Sequence, residues 1–102
     1  MINWGRISEL REEIGEDDFS EVVELFLEEV EGVMEILDTD PAELGARLHF
    51  LRGSAWNLGF GQFGDLCHAG EKLCALGLMD EVDLPALRGV YLASREEFLA
   101  RA

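Results

Sequence analysis

The feature that constrains the fold most is a row of apolar residues at alternating spacings of four and three positions. The row consists of Leu44, Leu48, Leu51, Ala55 and Leu58. This spacing places the side chains on one face of an α-helix, because a helix has about 3.6 residues per turn. A half-buried strand would alternate apolar and polar residues, and the chain sustains no such alternation. The pattern therefore predicts an all-α fold.

Glycine, proline and capping residues divide the other apolar stretches into further helices. The first helix is predicted from about Asn3 to Ile14, and Gly15 can end it. The second helix is expected to begin after Asp18, because Glu21 lies three positions further on and completes a capping box.

The third helix, which carries the leucine row, has a well-marked start and end. Asp40 is a good capping residue, Pro41 suits the first helical position, and Glu43 can close a capping box. We expect this helix to run to about Leu58, where Gly59 can adopt the left-handed conformation that ends many helices.

Two more helices follow after short connections. The fourth is predicted from about Gly61 to Leu76, and Asp83 with Pro85 opens the last. The short connection before Gly61 forces the third and fourth helices into an antiparallel hairpin. Four long amphipathic helices predict an up-down-up-down four-helix bundle, flanked by the short first helix. Because the chain has 102 residues, 48% of them apolar, we expect one domain over residues 1–102.

The charge of the chain is distributed unevenly. Residues 1–40 carry fourteen Asp and Glu against two Arg, whereas residues 41–79 carry three acidic and three basic residues and are neutral. The overall net charge of −14 argues against nucleic acid and anionic membrane surfaces as partners. The acidic helices either serve solubility alone or leave the neutral segment as a contact surface free of repulsion.

No export signal or membrane-spanning apolar run is evident, so we expect a cytoplasmic protein with free thiols. Cys67 and Cys74 lie on the predicted core face of the fourth helix, beside His68. A zinc site there is the metal-binding alternative, but the spacing lacks the close ligand pairs that such sites use. We therefore predict no metal site and no cofactor.

A histidine lies beside the leucine row of the third helix, on a row that the helical period turns towards solvent. That row is Gly45, His49, Arg52 and Trp56, and Gly53 follows His49 by one turn. An exposed neutral imidazole is a usable nucleophile near pH 7, because the ordinary pKa of histidine is about 6.5. Arg52 can reach towards negative charge on the ring, and its planar fork suits a phosphate.

The two glycines of this row need an explanation, because each costs roughly 1 kcal/mol relative to alanine inside a helix. One explanation is close packing against another helix. The other is clearance that admits a partner's active site to His49. The sequence offers no glycine-rich phosphate loop, no paired carboxylates on this face and no nucleotide site. The chain therefore suits carrying a chemical group better than generating one.

The run HFLRGSAWNLGF, residues 49–60, resembles the signature of histidine-containing phosphotransfer (HPt) domains of two-component phosphorelays. The matching positions are His49, Leu51, Arg52, Gly53, Ser54, Asn57, Leu58 and Gly59. The downstream run LCHAGEKL is similar to the family's fourth-helix pattern. The departures are modest: Arg52 replaces a commoner lysine, Ala55 a frequent serine and Phe60 a frequent alanine, and Trp56 is unusually large.

The resemblance implies that His49 accepts a phosphoryl group from the phospho-aspartate of a receiver domain and passes it to another receiver. It implies that Arg52 stabilises the phosphate and that Gly53 gives the receiver access. Receivers of response regulators or hybrid histidine kinases would be the partners, and they would supply Mg²⁺. Gly45 and Trp56 would add binding contacts, whereas Ser54 and Asn57 would serve packing. The chain would be a phosphoryl carrier without kinase activity of its own.

Several alternatives stay open at this point. A non-catalytic docking module would use the same face to bind and inhibit a sensor kinase or receiver without carrying phosphate. His68 is a second candidate acceptor, but it lacks flanking basic residues. Trp56 is either a docking anchor, as exposed aromatic residues often are, or a ring folded over its own helix.

Overall fold

The structure is a computed structural model that describes residues 2–101. The α-helices are α1 (Trp4–Ile14), α2 (Glu16–Glu35), α3 (Leu44–Leu58), α4 (Gly61–Ala75) and α5 (Leu84–Arg101). Short 3₁₀ turns, Pro41–Glu43 and Met79–Glu81, precede α3 and α5. No strand occurs between residues 2 and 101. The predicted all-α class is confirmed, and the up-down-up-down order of the whole bundle stays a prediction.

Most of the predicted helix ends are confirmed by their capping contacts. The carboxylate of Asp40 accepts a hydrogen bond from the backbone N–H of Ala42 at 3.1 Å, and Asp83 caps α5 in the same way. Gly59 has a φ of 97° and ends α3 in the left-handed conformation. Because Pro41–Glu43 forms a 3₁₀ turn, α3 itself begins at Leu44, three residues after the predicted start.

The predicted start of the second helix is wrong. α2 begins at Glu16, directly after Gly15, and Asp18 lies inside its first turn rather than at its cap. Gly15 has a φ of 92°, which turns the chain at once, and its carbonyl accepts from the Phe19 N–H at 2.9 Å. The acidic residues at this end are placed favourably, because a helix N-terminus carries partial positive charge.

The leucine row of α3 faces the core as predicted. Its residues are at most 5% exposed, and they pack with a cluster of aromatic side chains: Phe60, Phe63, Tyr91 and Phe98. α3 packs most extensively on α4, and it also packs on α2 and α1. The opposite face of α3, away from this core, carries the histidine.

Candidate functional site

His49 lies on the exposed face of α3, with 64% of its side chain accessible. Gly53, one turn further along, is also exposed, and a Cβ added there would meet no atom within 4 Å. The space above this turn of α3 is therefore open. This arrangement agrees with the predicted exposure of both residues, and it leaves a path by which another molecule can approach the imidazole.

A carboxylate that the sequence analysis overlooked lies against the imidazole. Glu71 of α4 places Oε1 at 2.7 Å from Nδ1 of His49, and only 26% of its side chain is accessible. The sequence contained a signal for this contact, because His49 and Glu71 are equidistant from Phe60, one of the two residues between α3 and α4. Residues equidistant from a tight connection lie at the same level of an antiparallel pair.

Arg52 completes the cluster. Its Nε lies 2.9 Å from Oε2 of Glu71, and its Nη2 lies 2.6 Å from Nδ1 of His49. One ring nitrogen cannot both donate to Glu71 and accept from Arg52. The ionised carboxylate is the stronger partner, since a nitrogen lone pair at 2.7 Å from it would be repelled. We therefore assign the proton to Nδ1, where it is donated to Glu71.

This assignment determines the chemistry of the other ring nitrogen. With the proton on Nδ1, a neutral imidazole keeps its lone pair on Nε2. Both polar contacts of His49 with the described residues, to Glu71 and to Arg52, are made at Nδ1, and the side chain is largely accessible. The site therefore holds an oriented nitrogen nucleophile next to a guanidinium group.

The predicted exposed row is only partly exposed. Gly45 is half-buried, and a Cβ there would lie 3.3 Å from Cβ of Cys74, so this glycine allows close packing of α3 on α4. Arg52 is also half-buried, because it reaches across to Glu71. These two residues are less exposed than their position on the row predicts, since α4 covers their side of α3.

Trp56 is 38% exposed and lies across α4 rather than over its own helix. Its indole N–H donates to Oδ1 of Asp65 at 3.0 Å. The indole ring lies 5.4 Å, between centroids, from the ring of His68. His68 itself is half-buried, with Nδ1 3.9 Å from Oε2 of Glu71.

The two remaining polar residues of the signature, Asn57 and Ser54, lie away from the imidazole, and Asn57 stabilises the fold. Asn57 accepts hydrogen bonds from Arg6 on both its backbone carbonyl, at 3.0 Å, and its side-chain oxygen, at 2.9 Å. These bonds attach α1 to the end of α3. Ser54 is half-buried on the side of α3 that faces α1 and α2.

Both cysteines are free thiols. Cys67 is fully buried, and its burial, together with the charge of Glu71, raises its pKa to about 12. The pKa of Cys74 is raised for the same reasons. Within residues 2–101, no group of three or more His, Cys, Asp or Glu side chains has a geometry that could hold a metal ion.

Comparison with known protein families shows which family the chain belongs to. A sequence model described as the Hpt domain matches residues 21–97. The chain belongs to the Hpt-domain family. The match runs from α2 into α5 and includes the whole cluster around His49. Hpt domains function in phosphotransfer in two-component systems and typically interact with receiver domains.

No curated protein and no solved structure shows significant similarity to the chain. None of the described helices combines the length and the apolar character that crossing a membrane requires.

Proposed function

We propose that this Hpt domain is a histidine phosphotransfer protein whose phosphoryl acceptor is His49. It takes the group from the phospho-aspartate of one receiver domain and relays it to the aspartate of another. The observation that carries the proposal is the contact of 2.7 Å between Nδ1 of His49 and Glu71. This contact orients an accessible imidazole so that its Nε2 lone pair is free.

The transfer step follows from this orientation. The Nε2 lone pair forms the new bond to phosphorus while the bond between phosphorus and the aspartate oxygen breaks, and the aspartate leaves as a carboxylate. The Nδ1 proton stays in its hydrogen bond with Glu71, so the phosphorylated ring is cationic. The carboxylate stabilises that cation, and the same cation is a good leaving group when the next receiver attacks.

Arg52 supplies positive charge beside the reacting nitrogen. Its Nε is paired with Glu71 at 2.9 Å, while Nη2 lies at the imidazole. The planar fork of a guanidinium group matches phosphate oxygens. Arg52 therefore stabilises the transferred group during the reaction and after it.

The receiver supplies what this chain lacks. It contributes Mg²⁺ and an acidic pocket, and these carry most of the electrostatic stabilisation of the transferring phosphoryl group. The open space above Gly53 admits that pocket to Nε2. The neutral charge of residues 41–79, against −12 for residues 1–40, favours approach of an acidic receiver to α3 and α4. The protein needs no cofactor of its own, and we place it in the cytoplasm.

Phosphate transfer from a phosphorylated receiver of the same host tests the proposal. The protein should gain phosphate that is labile in acid and stable in base, and His49→Gln should abolish the gain. The matched control is His68→Gln on the neighbouring helix, which should retain the label. Label that survives His49→Gln would overturn the assignment, and binding of the receiver without any label would favour the docking module instead.

A further inference from the structure

The indole of Trp56 lies between two side chains, Arg52 and His68, that are themselves close to Glu71. The Arg52 guanidinium lies over the indole, 5.4 Å from the ring centroid, and the His68 ring lies 5.4 Å away on α4. Both of these side chains also lie near Oε2 of Glu71, with Nε of Arg52 at 2.9 Å and Nδ1 of His68 at 3.9 Å. The indole thus contacts two of the three side chains that approach this carboxylate.

The backbone of α4 is shaped to receive the indole. A Cβ added at Gly64 would lie 2.3 Å from Cδ1 and 2.5 Å from Nε1 of Trp56. No side chain fits at position 64 while the ring is in place. Asp65, the next residue, accepts the indole N–H at 3.0 Å, so a ring with two torsion angles is held at both its face and its edge.

We propose that Trp56 is a positioning residue for His49. It holds Arg52 and His68 against Glu71, and Glu71 in turn keeps the proton on Nδ1 and the lone pair on Nε2. The part that concerns phosphoryl transfer rests on the proposed function. The part that concerns the orientation of the imidazole stands on the resting protein alone.

Trp56 is needed because the Arg52–Glu71 ion pair is weak by itself. An ion pair between partly exposed side chains contributes little, because an arginine gives up much side-chain freedom to hold one geometry. Contact with an aromatic face restricts the guanidinium and adds a cation–π attraction, which is effective within about 6 Å. With Arg52 held in this way, the Glu71 carboxylate is held at Nδ1 as well.

Two variants separate the contributions of the ring and of its hydrogen bond. Trp56→Ala removes both, whereas Trp56→Phe keeps an aromatic face and loses only the bond to Asp65. We expect Trp56→Ala to shift the ¹⁵N signals of the His49 ring towards a mixture of the two tautomers. Trp56→Phe should keep signals close to those of the original protein. This readout uses the unphosphorylated protein and so does not depend on the proposed function.

Phosphorylation rates supply the second readout. With phosphoramidate, a small donor that docks nowhere, Trp56→Ala should be phosphorylated about fivefold more slowly, the loss expected for one cation–π contact. The loss with a phosphorylated receiver should be of similar size. The matched control is Trp4→Ala, since Trp4 also lies beneath an arginine, with Arg101 at 4.3 Å, but packs on Phe98. Trp4→Ala should lower stability and leave the His49 signals unchanged.

Gly64→Ala tests the contact between Trp56 and α4 from the side of α4. The added methyl group should displace the indole and reproduce the effect of Trp56→Ala on the His49 signals. In a protein that already carries Trp56→Ala, the same substitution should have no further effect, because the ring that it displaces is gone.

Two results would overturn the inference. One is a Trp56→Ala protein with unchanged His49 signals and an unchanged rate with phosphoramidate but slow transfer from the receiver, which would make Trp56 a docking anchor. The other is a Gly64→Ala effect that persists in full without the indole. If Trp56→Ala shifts the His49 signals but neither donor phosphorylates any variant, the positioning role stands and the proposed function fails.

Discussion

Two faces of this bundle are built from similar parts and differ in what they leave accessible. On the α3–α4 face, Glu71 lies between Arg52 at 2.9 Å and His49 at 2.7 Å. The same face has an open cavity of about 390 Å³ beside the imidazole.

The α2–α5 face repeats the motif with a different donor. Glu31 lies between Nε of Arg95 at 2.9 Å and the hydroxyl of Tyr91 at 2.8 Å. An open cavity of about 390 Å³ lies on this face too. Tyr91 is only 2% exposed, and its burial and its bond to Glu31 raise its pKa far above the ordinary value for tyrosine.

The difference shows which features make a site. A carboxylate between an arginine and a hydrogen-bond donor is present on both faces, and so is a cavity of the same size. Only the α3–α4 face adds an accessible nitrogen lone pair, which lies one helical turn from the open space above Gly53. On the other face, the phenol is buried and keeps its proton, so the same arrangement only joins two helices.

The largest effect is expected from a variant that fills the open space above Gly53. Gly53→Gln should reduce transfer from a phosphorylated receiver about a hundredfold or more, because misplacing reacting atoms by about 1 Å already costs that much. The fold should remain intact and become slightly more stable, because a Cβ at position 53 meets no atom within 4 Å and glycine is a poor helix former. Transfer is measured by gel assay and stability by urea unfolding.

The matched control for Gly53→Gln is Gly89→Gln in α5. Gly89 is also a helical glycine with no atom within 4 Å of an added Cβ, so the gain in helix stability should be the same. Transfer should be unaffected. Normal transfer by the Gly53→Gln protein would contradict the clearance argument.

Removing the carboxylate from each face should separate chemistry from stability. Glu71→Ala should slow phosphorylation of His49 by phosphoramidate roughly tenfold or more, since a hydrogen bond to a charged group contributes about 1.5–3 kcal/mol. Glu71→Gln should lose less, because its amide oxygen can still accept from Nδ1. Glu31→Ala should leave the rate unchanged and lower the free energy of unfolding by about 1–3 kcal/mol, because it leaves the Tyr91 hydroxyl without a partner. Equal rate losses for Glu71→Ala and Glu31→Ala would remove the distinction between the two faces.

The prediction with the smallest expected effect on phosphoryl transfer concerns the core behind the site. Burial raises the pKa of the Cys67 thiol to about 12 in the folded protein, against 9.0 for an ordinary thiol. Unfolding therefore releases this proton between pH 9 and pH 12, and the free energy of unfolding should fall as the pH rises through that window. Cys67→Ala should reduce the slope of that fall. The free energy of unfolding is measured with urea at several pH values. If Cys67→Ala leaves its pH dependence unchanged, the thiol does not contribute to that dependence.

Local sequence patterns predicted the parts of the fold that depend on one helix at a time. The leucine row of α3, the cap at Asp40 and the left-handed Gly59 follow from helical period and backbone preference, so they needed no knowledge of neighbouring helices. The start of α2 was predicted wrongly, because the capping pattern at Asp18 looked stronger than the sharp turn at Gly15 that begins the helix directly.

The parts of the site that were missed depend on how two helices meet. Close packing was one of two explanations left open for Gly45, and the sequence did not show that its neighbour would be Cys74 or that Trp56 would lie over Gly64. Glu71 was counted only as a charge, although it contacts His49 directly. Helical period places a residue on a face, but only the register of the α3–α4 hairpin shows what lies opposite. Pairing residues at equal distances from Phe60 would have found this carboxylate.

The most direct test of the central claim locates the phosphorus atom. The protein is labelled with ¹⁵N at its histidines, phosphorylated by a receiver, and examined by NMR for coupling between phosphorus and a ring nitrogen. The account predicts coupling to Nε2 of His49, with the proton retained on Nδ1. Coupling to Nδ1 of His49, or to either nitrogen of His68, would contradict it.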